Sequence, residues 1–117
     1  MAIQIPGVDL EKGLALYDDD EDLFVIELSS YAKNTPAVLD RLRSVSAETL
    51  AEYAANVHGV KGTSTAIGAE DLRKNALKLE MMAKAGDLDG VLAENDAFLE
   101  QADTLVRDVK AWLESNT

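Results

Sequence analysis

Residues 87–114, DLDGVLAENDAFLEQADTLVRDVKAWLE, contain the clearest hydrophobic repeat in this chain. Apolar side chains recur there three and four positions apart over about seven turns, interrupted by Asn95. They are Leu88, Val91, Leu92, Phe98, Leu99, Ala102, Leu105, Val106, Val109, Trp112 and Leu113. This pattern predicts one long helix that packs against several neighbours. Because no run alternates between apolar and polar residues as a strand does, the chain is expected to be all-α.

Two more helices are predicted directly upstream, each ended by a glycine: Gly68, in the left-handed conformation, and Gly86, which precedes an N-capping aspartate. The first is expected to run from Ala47 to Ile67 after Ser46 as its N-cap. Its inward side chains are predicted to be Leu50, Tyr53, Val57, Val60, Ser64 and Ile67. The second is expected to bury Leu72, Ala76, Leu79 and Met82.

The N-terminal third of the chain predicts shorter pieces. Asp9 can cap a short helix, and a longer helix is expected to follow the acidic run 18–22 and to end near Lys33. Its stripe is predicted to comprise Leu23, Phe24, Ile26, Leu28 and Tyr31. Thr35 and Pro36 suit the N-cap and first position of another short helix. A metal-binding loop is the alternative for the acidic run, which lacks the spaced ligands and glycine of a calcium loop.

Together these helices predict an antiparallel up-down four-helix bundle with additional short N-terminal helices. The length of 117 residues suits one domain with a modest core, so residues 1–117 are expected to form a single domain. The chain has no cysteine, which excludes a disulfide framework and thiolate metal sites.

The formal net charge is −11, from 22 acidic and 11 basic residues. Such a surface repels nucleic acids and anionic membranes, so the expected partner is a protein. No apolar run approaches the roughly 20 residues that cross a bilayer. The N-terminus also lacks the basic flank and apolar core of a signal peptide. We therefore expect a cytoplasmic monomer that binds neither nucleic acid nor membrane.

The single histidine lies in Asn56-Val57-His58-Gly59-Val60-Lys61-Gly62-Thr63-Ser64. In a helix, Lys61 and Gly62 share its face because they follow it by three and four positions. Gly59 and Gly62 each cost about 1 kcal/mol relative to alanine inside a helix. They indicate close helix packing, an early helix end, or an open approach to the ring with Lys61 as a mobile ammonium for phosphate oxygens. Taken alone, one histidine is more typical of a surface or packing residue.

This stretch resembles the signature of histidine-containing phosphotransfer (HPt) domains. The matching residues are His58-Gly59-Val60-Lys61-Gly62-Thr63-Ser64, followed by Gly68, Leu72 and Leu79-Glu80. The His-x-x-Lys-Gly core is specific, and the resemblance extends loosely over nearly the whole chain. Gly59 departs from the family pattern, which usually has a larger residue there.

The resemblance implies a phosphoryl carrier of a two-component phosphorelay rather than an enzyme. His58 would exchange a phosphoryl group with response-regulator receiver domains or receive it from a histidine kinase. The chain would bind no cofactor, because the receiver supplies the magnesium and its acidic ligands. Lys61 would offset the negative charge of the transferred group.

Glu80 is predicted to lie level with His58, since it follows Gly68 by twelve residues and His58 precedes Gly68 by ten. A carboxylate that accepts a hydrogen bond from Nδ1–H fixes the tautomer and leaves Nε2 free as a nucleophile. The alternative is an exposed glutamate on a solvated helix face. The predicted partner-binding residues are Ala55, Gly59, Gly62, Thr65 and Lys84.

Three alternative functions also have to be considered for a helical bundle of this kind. A di-metal bundle needs Glu-x-x-His pairs, but Ala55 stands three positions before the histidine, and no metal site is predicted. The chain also fits the phosphoacceptor domain of a chemotaxis-type or hybrid kinase, excised from a longer protein. A helical interaction module without phosphotransfer would show the same apolar stripes.

Overall fold

Five α-helices make up the computed structural model, which describes residues 2–116. They are α1 (Leu10–Ala15), α2 (Glu21–Leu42), α3 (Leu50–Ala66), α4 (Glu70–Lys84) and α5 (Leu88–Asn116). Helices α2 and α4 each pack against α3 and α5, and short connections make successive helices antiparallel. Residues 2–116 contain no strand. The predicted all-α up-down bundle is therefore confirmed.

The predicted domain limits, Met1 and Thr117, lie outside the described residues, and the single domain stays a prediction. Within the described part, no helix combines the length and the apolar character that a membrane span needs.

The predicted break at Thr35 and Pro36 is wrong, because α2 continues through both residues. A proline inside a helix removes one hydrogen bond and costs about 3 kcal/mol. Packing offsets this cost: the stripe before Pro36 continues after it with Leu39 and Leu42, both buried. The separate short helix is thus the second half of α2, and α1 is the one short N-terminal helix of the described chain.

The apolar stripe of α2 is narrower than predicted. Phe24, Leu28 and Tyr31 are buried, but Leu23 and Ile26 are exposed. At about 100° per residue, Leu23 and Ile26 lie about 120° and 180° from the centre of the buried side of α2, so the prediction of a broad stripe is wrong for them. Leu92 of α5 is also exposed, although the apolar repeat of residues 87–114 predicted that it would face the neighbouring helices.

Helix α3 begins at Leu50, three residues later than predicted. The Ser46 side chain does not cap it; instead the Ser46 backbone N–H donates to Oγ1 of Thr49 at 2.9 Å, within a turn. The predicted inward stripe of α3 is confirmed, because Leu50, Val57 and the other four residues are all buried.

Two buried hydrogen bonds in series join α3, α5 and α2. The hydroxyl of Tyr53 donates to Oδ1 of Asn95 at 2.7 Å, and Nδ2 of Asn95 donates to the carbonyl of Leu42 at 2.8 Å. Asn95, which interrupted the predicted stripe of α5, is therefore a satisfied core residue. It ties α5 to α3 and to the last turn of α2.

The N-terminal segment closes one end of the bundle. The Trp112 indole N–H donates to the Ala2 carbonyl at 3.0 Å, and Tyr17 donates from its hydroxyl to the Ala66 carbonyl at 2.8 Å. The Asp9 N–H donates to the carbonyl of Gly68 at 2.8 Å, in the turn between α3 and α4. The segment therefore supports the turn that sets α3 against α4.

Gly68 and Gly86 offer a matched test of this support. Both have positive φ, +75° and +77°, as predicted for Gly68, but only a Cβ at Gly68 would meet backbone atoms of Asp9 and Gly13. A left-handed alanine costs about 1–2 kcal/mol. In urea unfolding, Gly86→Ala should lower the free energy of unfolding by about 1–2 kcal/mol. Gly68→Ala should lower it by about 2 kcal/mol more than Gly86→Ala does. Equal losses would show that the N-terminal segment does not constrain the turn.

Candidate functional site

His58 lies near the middle of α3 and points its ring away from the core. Its side chain is 60% exposed, whereas Val57 and Val60 beside it are buried. The predicted exposure of the imidazole is confirmed. Because α3 is held by its buried stripe, the position of the ring is set by a rigid element.

Glu80 of α4 reaches this ring from the adjacent helix. Its side chain is only 3% exposed, and Oε2 lies 2.7 Å from Nδ1 of His58. The level position of the two residues, predicted from their distances to Gly68, is confirmed. The alternative of an exposed glutamate is wrong.

Two lysines complete the surroundings of the buried carboxylate. Nζ of Lys61 donates to Oε1 of Glu80 at 2.7 Å, and Nζ of Lys84 donates to Oε2 at 3.0 Å. Glu80 thus has one donor on Oε1 and two on Oε2, counting the ring. We call His58, Lys61, Glu80 and Lys84 the Glu80 cluster.

These donors keep Glu80 ionised. The hydrogen bond from Lys61, with further bonds from Lys84 and His58, outweighs the effect of burial and lowers the pKa of Glu80 from 4.5 to about 2. An ionised carboxylate only accepts hydrogen bonds, so the proton between Oε2 and the ring belongs to Nδ1 of His58. In the neutral ring Nε2 then carries the free electron pair.

Lys61 is less free than predicted. The sequence indicated a mobile ammonium, but the side chain is only 25% exposed and bonds to a buried carboxylate. The reason is that Glu80 enters from α4, a partner that the spacing within α3 alone does not reveal. Lys61 therefore contributes to the packing of α3 on α4 as well as to the charge beside His58.

An apolar groove of about 560 Å³ adjoins the ring between α3 and the end of α4. Ala55 and Lys84, two of the predicted partner-binding residues, line it together with His58 and Glu80. The remaining lining residues are Leu50, Ala51, Ala54, Ala83 and Gly86. The groove gives a partner an apolar floor that ends at the histidine.

The other predicted contact residues lie elsewhere on α3. Gly59 lines a smaller pocket of about 120 Å³ between α2 and α3, away from the main groove. Gly62 and Thr65 lie on the exposed side of α3, one and two turns beyond His58. A Cβ added at Gly59 or Gly62 would meet no atom within 4 Å, so both glycines leave open space rather than allow close helix packing.

Five lining residues of the groove were not among the predicted site residues, and two of them, Ala83 and Gly86, lie at the end of α4. Ala83 follows Glu80 by three positions and therefore shares its face, a signal that could have identified it. Gly86 was interpreted only as the end of α4. Its place in the groove depends on how the turn folds back towards Leu50.

Charge is distributed unevenly around the site. Residues 50–84, which form α3, α4 and their turn, contain four acidic and five basic residues; the rest of the chain contains eighteen and six. One of the four acidic residues is the buried Glu80. The helices that carry the Glu80 cluster are thus slightly basic in a strongly acidic protein.

Among residues 2–116, no three histidine or carboxylate groups are placed to hold a metal ion. The acidic run 18–22 has a structural role. Asp20 of that run caps α2, accepting hydrogen bonds from the backbone N–H groups of Asp22 and Leu23.

The fold and the site define a helical bundle that presents one exposed histidine, oriented by a buried carboxylate. The family model described as Hpt domain matches residues 27–115. The chain belongs to this family, whose members are histidine phosphocarriers of two-component phosphorelays that interact with receiver and kinase domains. Searches of curated proteins and of solved structures gave no significant match.

The ionised state of Glu80 predicts how stability depends on pH. Because its pKa is lower in the folded protein than the reference 4.5, its contribution is complete above that pH and is lost as the pH falls towards about 2. In urea unfolding, the excess stability of the wild type over Glu80→Gln should be larger at pH about 6 than at pH about 3. A difference that stays constant over this range would contradict the ionised, cation-held carboxylate.

Lys61→Ala should destabilise the protein by about 1.5–3 kcal/mol, because a buried carboxylate loses a charged hydrogen-bond donor. Lys78 provides the control, since its bond to Glu94 joins two exposed side chains at 2.6 Å. Lys78→Ala should cost less than about 1 kcal/mol. Equal losses in urea unfolding would place Lys61 among ordinary surface lysines.

Proposed function

We propose that this chain carries a phosphoryl group on Nε2 of His58 and exchanges it with the aspartate of a response-regulator receiver domain, or receives it from a histidine kinase. The observation that supports this most is the hydrogen bond from Nδ1 to the ionised Glu80. It presents Nε2 to solvent as the unprotonated nitrogen of a neutral ring.

Beyond this nucleophile, the transfer requires few further groups from this chain. In the transfer, Nε2 attacks phosphorus, the new N–P bond forms, and the P–O bond to the receiver's aspartate breaks. Phosphoryl transfer depends mainly on in-line positioning and charge neutralisation. Lys61, three residues after His58, is the nearest cation of α3. The magnesium and its acidic ligands would come from the receiver, so the chain acts as a carrier rather than an enzyme.

The surroundings of His58 also suit such a partner. A receiver's active site is acidic, and the helices of the Glu80 cluster are the slightly basic part of an acidic chain. The groove beside the ring offers an apolar floor for a docking helix, with Ala55 and Lys84 in its walls. Gly62 and Thr65 would leave the adjoining surface low enough for close approach.

His58→Gln tests the acceptor. Receiver domains loaded with radiolabelled acetyl phosphate and magnesium should transfer label to the wild type, and the label should be stable in alkali and labile in acid. The variant should keep its circular-dichroism spectrum, because the side chain is exposed, and should take up no label. Acid-stable label retained by the variant would contradict His58 as the acceptor.

Two changes at Gly62 separate docking from folding. Gly62→Ala should stabilise the protein by up to about 1 kcal/mol, because alanine is the better helix former and the space is open. Gly62→Gln should keep the fold but slow transfer from a receiver. Phosphoramidate, a small phosphoryl donor, should still phosphorylate it at the wild-type rate. Normal receiver transfer by Gly62→Gln would show that this face is not approached.

A further inference from the structure

The two oxygens of Glu80 have different partners, and this difference separates the two lysines. Oε1 accepts a hydrogen bond from Lys61, a residue of α3. Oε2 accepts from the ring of His58 and from Lys84, which lies one turn after Glu80 on α4. Lys61 can therefore leave the carboxylate without disturbing the oxygen that orients the ring. Lys84 cannot.

Phosphorylation changes the charges in this cluster. When Nε2 forms its bond to phosphorus, Nδ1 keeps its proton, so the ring acquires a positive charge directly against Oε2. The phosphoryl group brings a charge of about −1.5 to −2 on the other side of the ring. Glu80 thus gains a cation at the moment when a new anion appears within reach of Lys61.

We propose that phosphorylation of His58 exchanges the cations around Glu80: Lys61 turns to the phosphoryl group, while Lys84 remains as a positioning residue that keeps Oε2 on the Nδ1–H. This inference rests on the proposed function, because it describes the phosphorylated state of the same histidine. It assigns distinct roles to the two lysines, although both bond to Glu80.

The positions of the lysines favour this division. Lys61 follows His58 by three residues on the same helix, the spacing at which side chains meet across a turn. Lys84 follows Glu80 by four residues on α4, so its bond to Oε2 lies along one helix and does not depend on the state of α3. With the charged ring and Lys84 on Oε2, the buried carboxylate stays paired after Lys61 has left.

Phosphorylation itself, whichever lysine pairs with Glu80, also has a consequence for the partner. Before transfer, the two lysines and Glu80 sum to one positive charge, which attracts an acidic receiver. After transfer, the charged ring and the phosphoryl group bring the sum close to zero. The attraction therefore weakens once the phosphoryl group has arrived, which favours release of the unloaded receiver.

The test uses protein phosphorylated by phosphoramidate, so that no receiver is needed. In the wild type, the ¹⁵N resonance of Lys61 Nζ should move on phosphorylation by more than that of Lys84.

Lys61→Gln should raise the apparent pKa of the phosphoryl group in ³¹P spectra by roughly half a unit or more, because a nearby cation is lost. Lys84→Gln should leave it within about 0.2 units but shift the ¹⁵N resonance of His58 Nδ1, and Lys84→Arg should restore that resonance. Lys78 lies on α4, as Lys84 does, but bonds to Glu94 instead of Glu80. Lys78→Gln should therefore change neither the phosphoryl titration nor the Nδ1 resonance.

Opposite results would overturn the inference. If Lys84→Gln moves the phosphoryl titration and Lys61→Gln does not, the roles are reversed. An unchanged Nδ1 resonance in Lys84→Gln would remove Lys84 from positioning. The Nζ resonances of the wild type decide the question should a variant unfold. Protein phosphorylated by phosphoramidate could show the exchange even though no receiver transfers a phosphoryl group to it. That result would refute the proposed partner and would leave the cation exchange unaffected.

Discussion

The buried carboxylate of Glu80 is the interaction on which the rest of the site depends. Moving an ion out of water costs several kcal/mol unless donors surround it. Here His58, Lys61 and Lys84 supply those donors from both sides of the α3–α4 pair. The requirement to satisfy this one group fixes the level of the two helices, orients the ring and decides which ring nitrogen is free.

The remainder of the fold keeps that arrangement in place. The turn at Gly68 sets α4 against α3, and the backbone of Asp9 bonds to the same turn from outside. Behind α3, the Tyr53–Asn95 bond joins it to the long helix α5. The ring of His58 therefore lies on a helix that is held in place from two sides. The apolar groove beside it is formed by small side chains, which leave room for a partner.

Much of this could be predicted from the sequence because it depends on short-range spacing. The helical periods indicated the bundle, and counting residues on either side of Gly68 placed Glu80 beside His58. Features that depend on packing between helices were missed. Pro36 continues a helix because Leu39 and Leu42 must stay buried, and Lys61 is held by a carboxylate from another helix. A lysine has many rotamers, so its spacing along α3 does not reveal its partner.

The most direct measurement of the central claim is the tautomer of His58 in the unphosphorylated protein, read from the ¹⁵N shifts of its two ring nitrogens. At a pH where the ring is neutral, we predict the proton on Nδ1 in the wild type, and a mixture of tautomers in Glu80→Ala. A proton on Nε2 in the wild type, or the same spectrum in both proteins, would contradict the account. In that case Glu80 would not select the nitrogen that we propose as the phosphoryl acceptor.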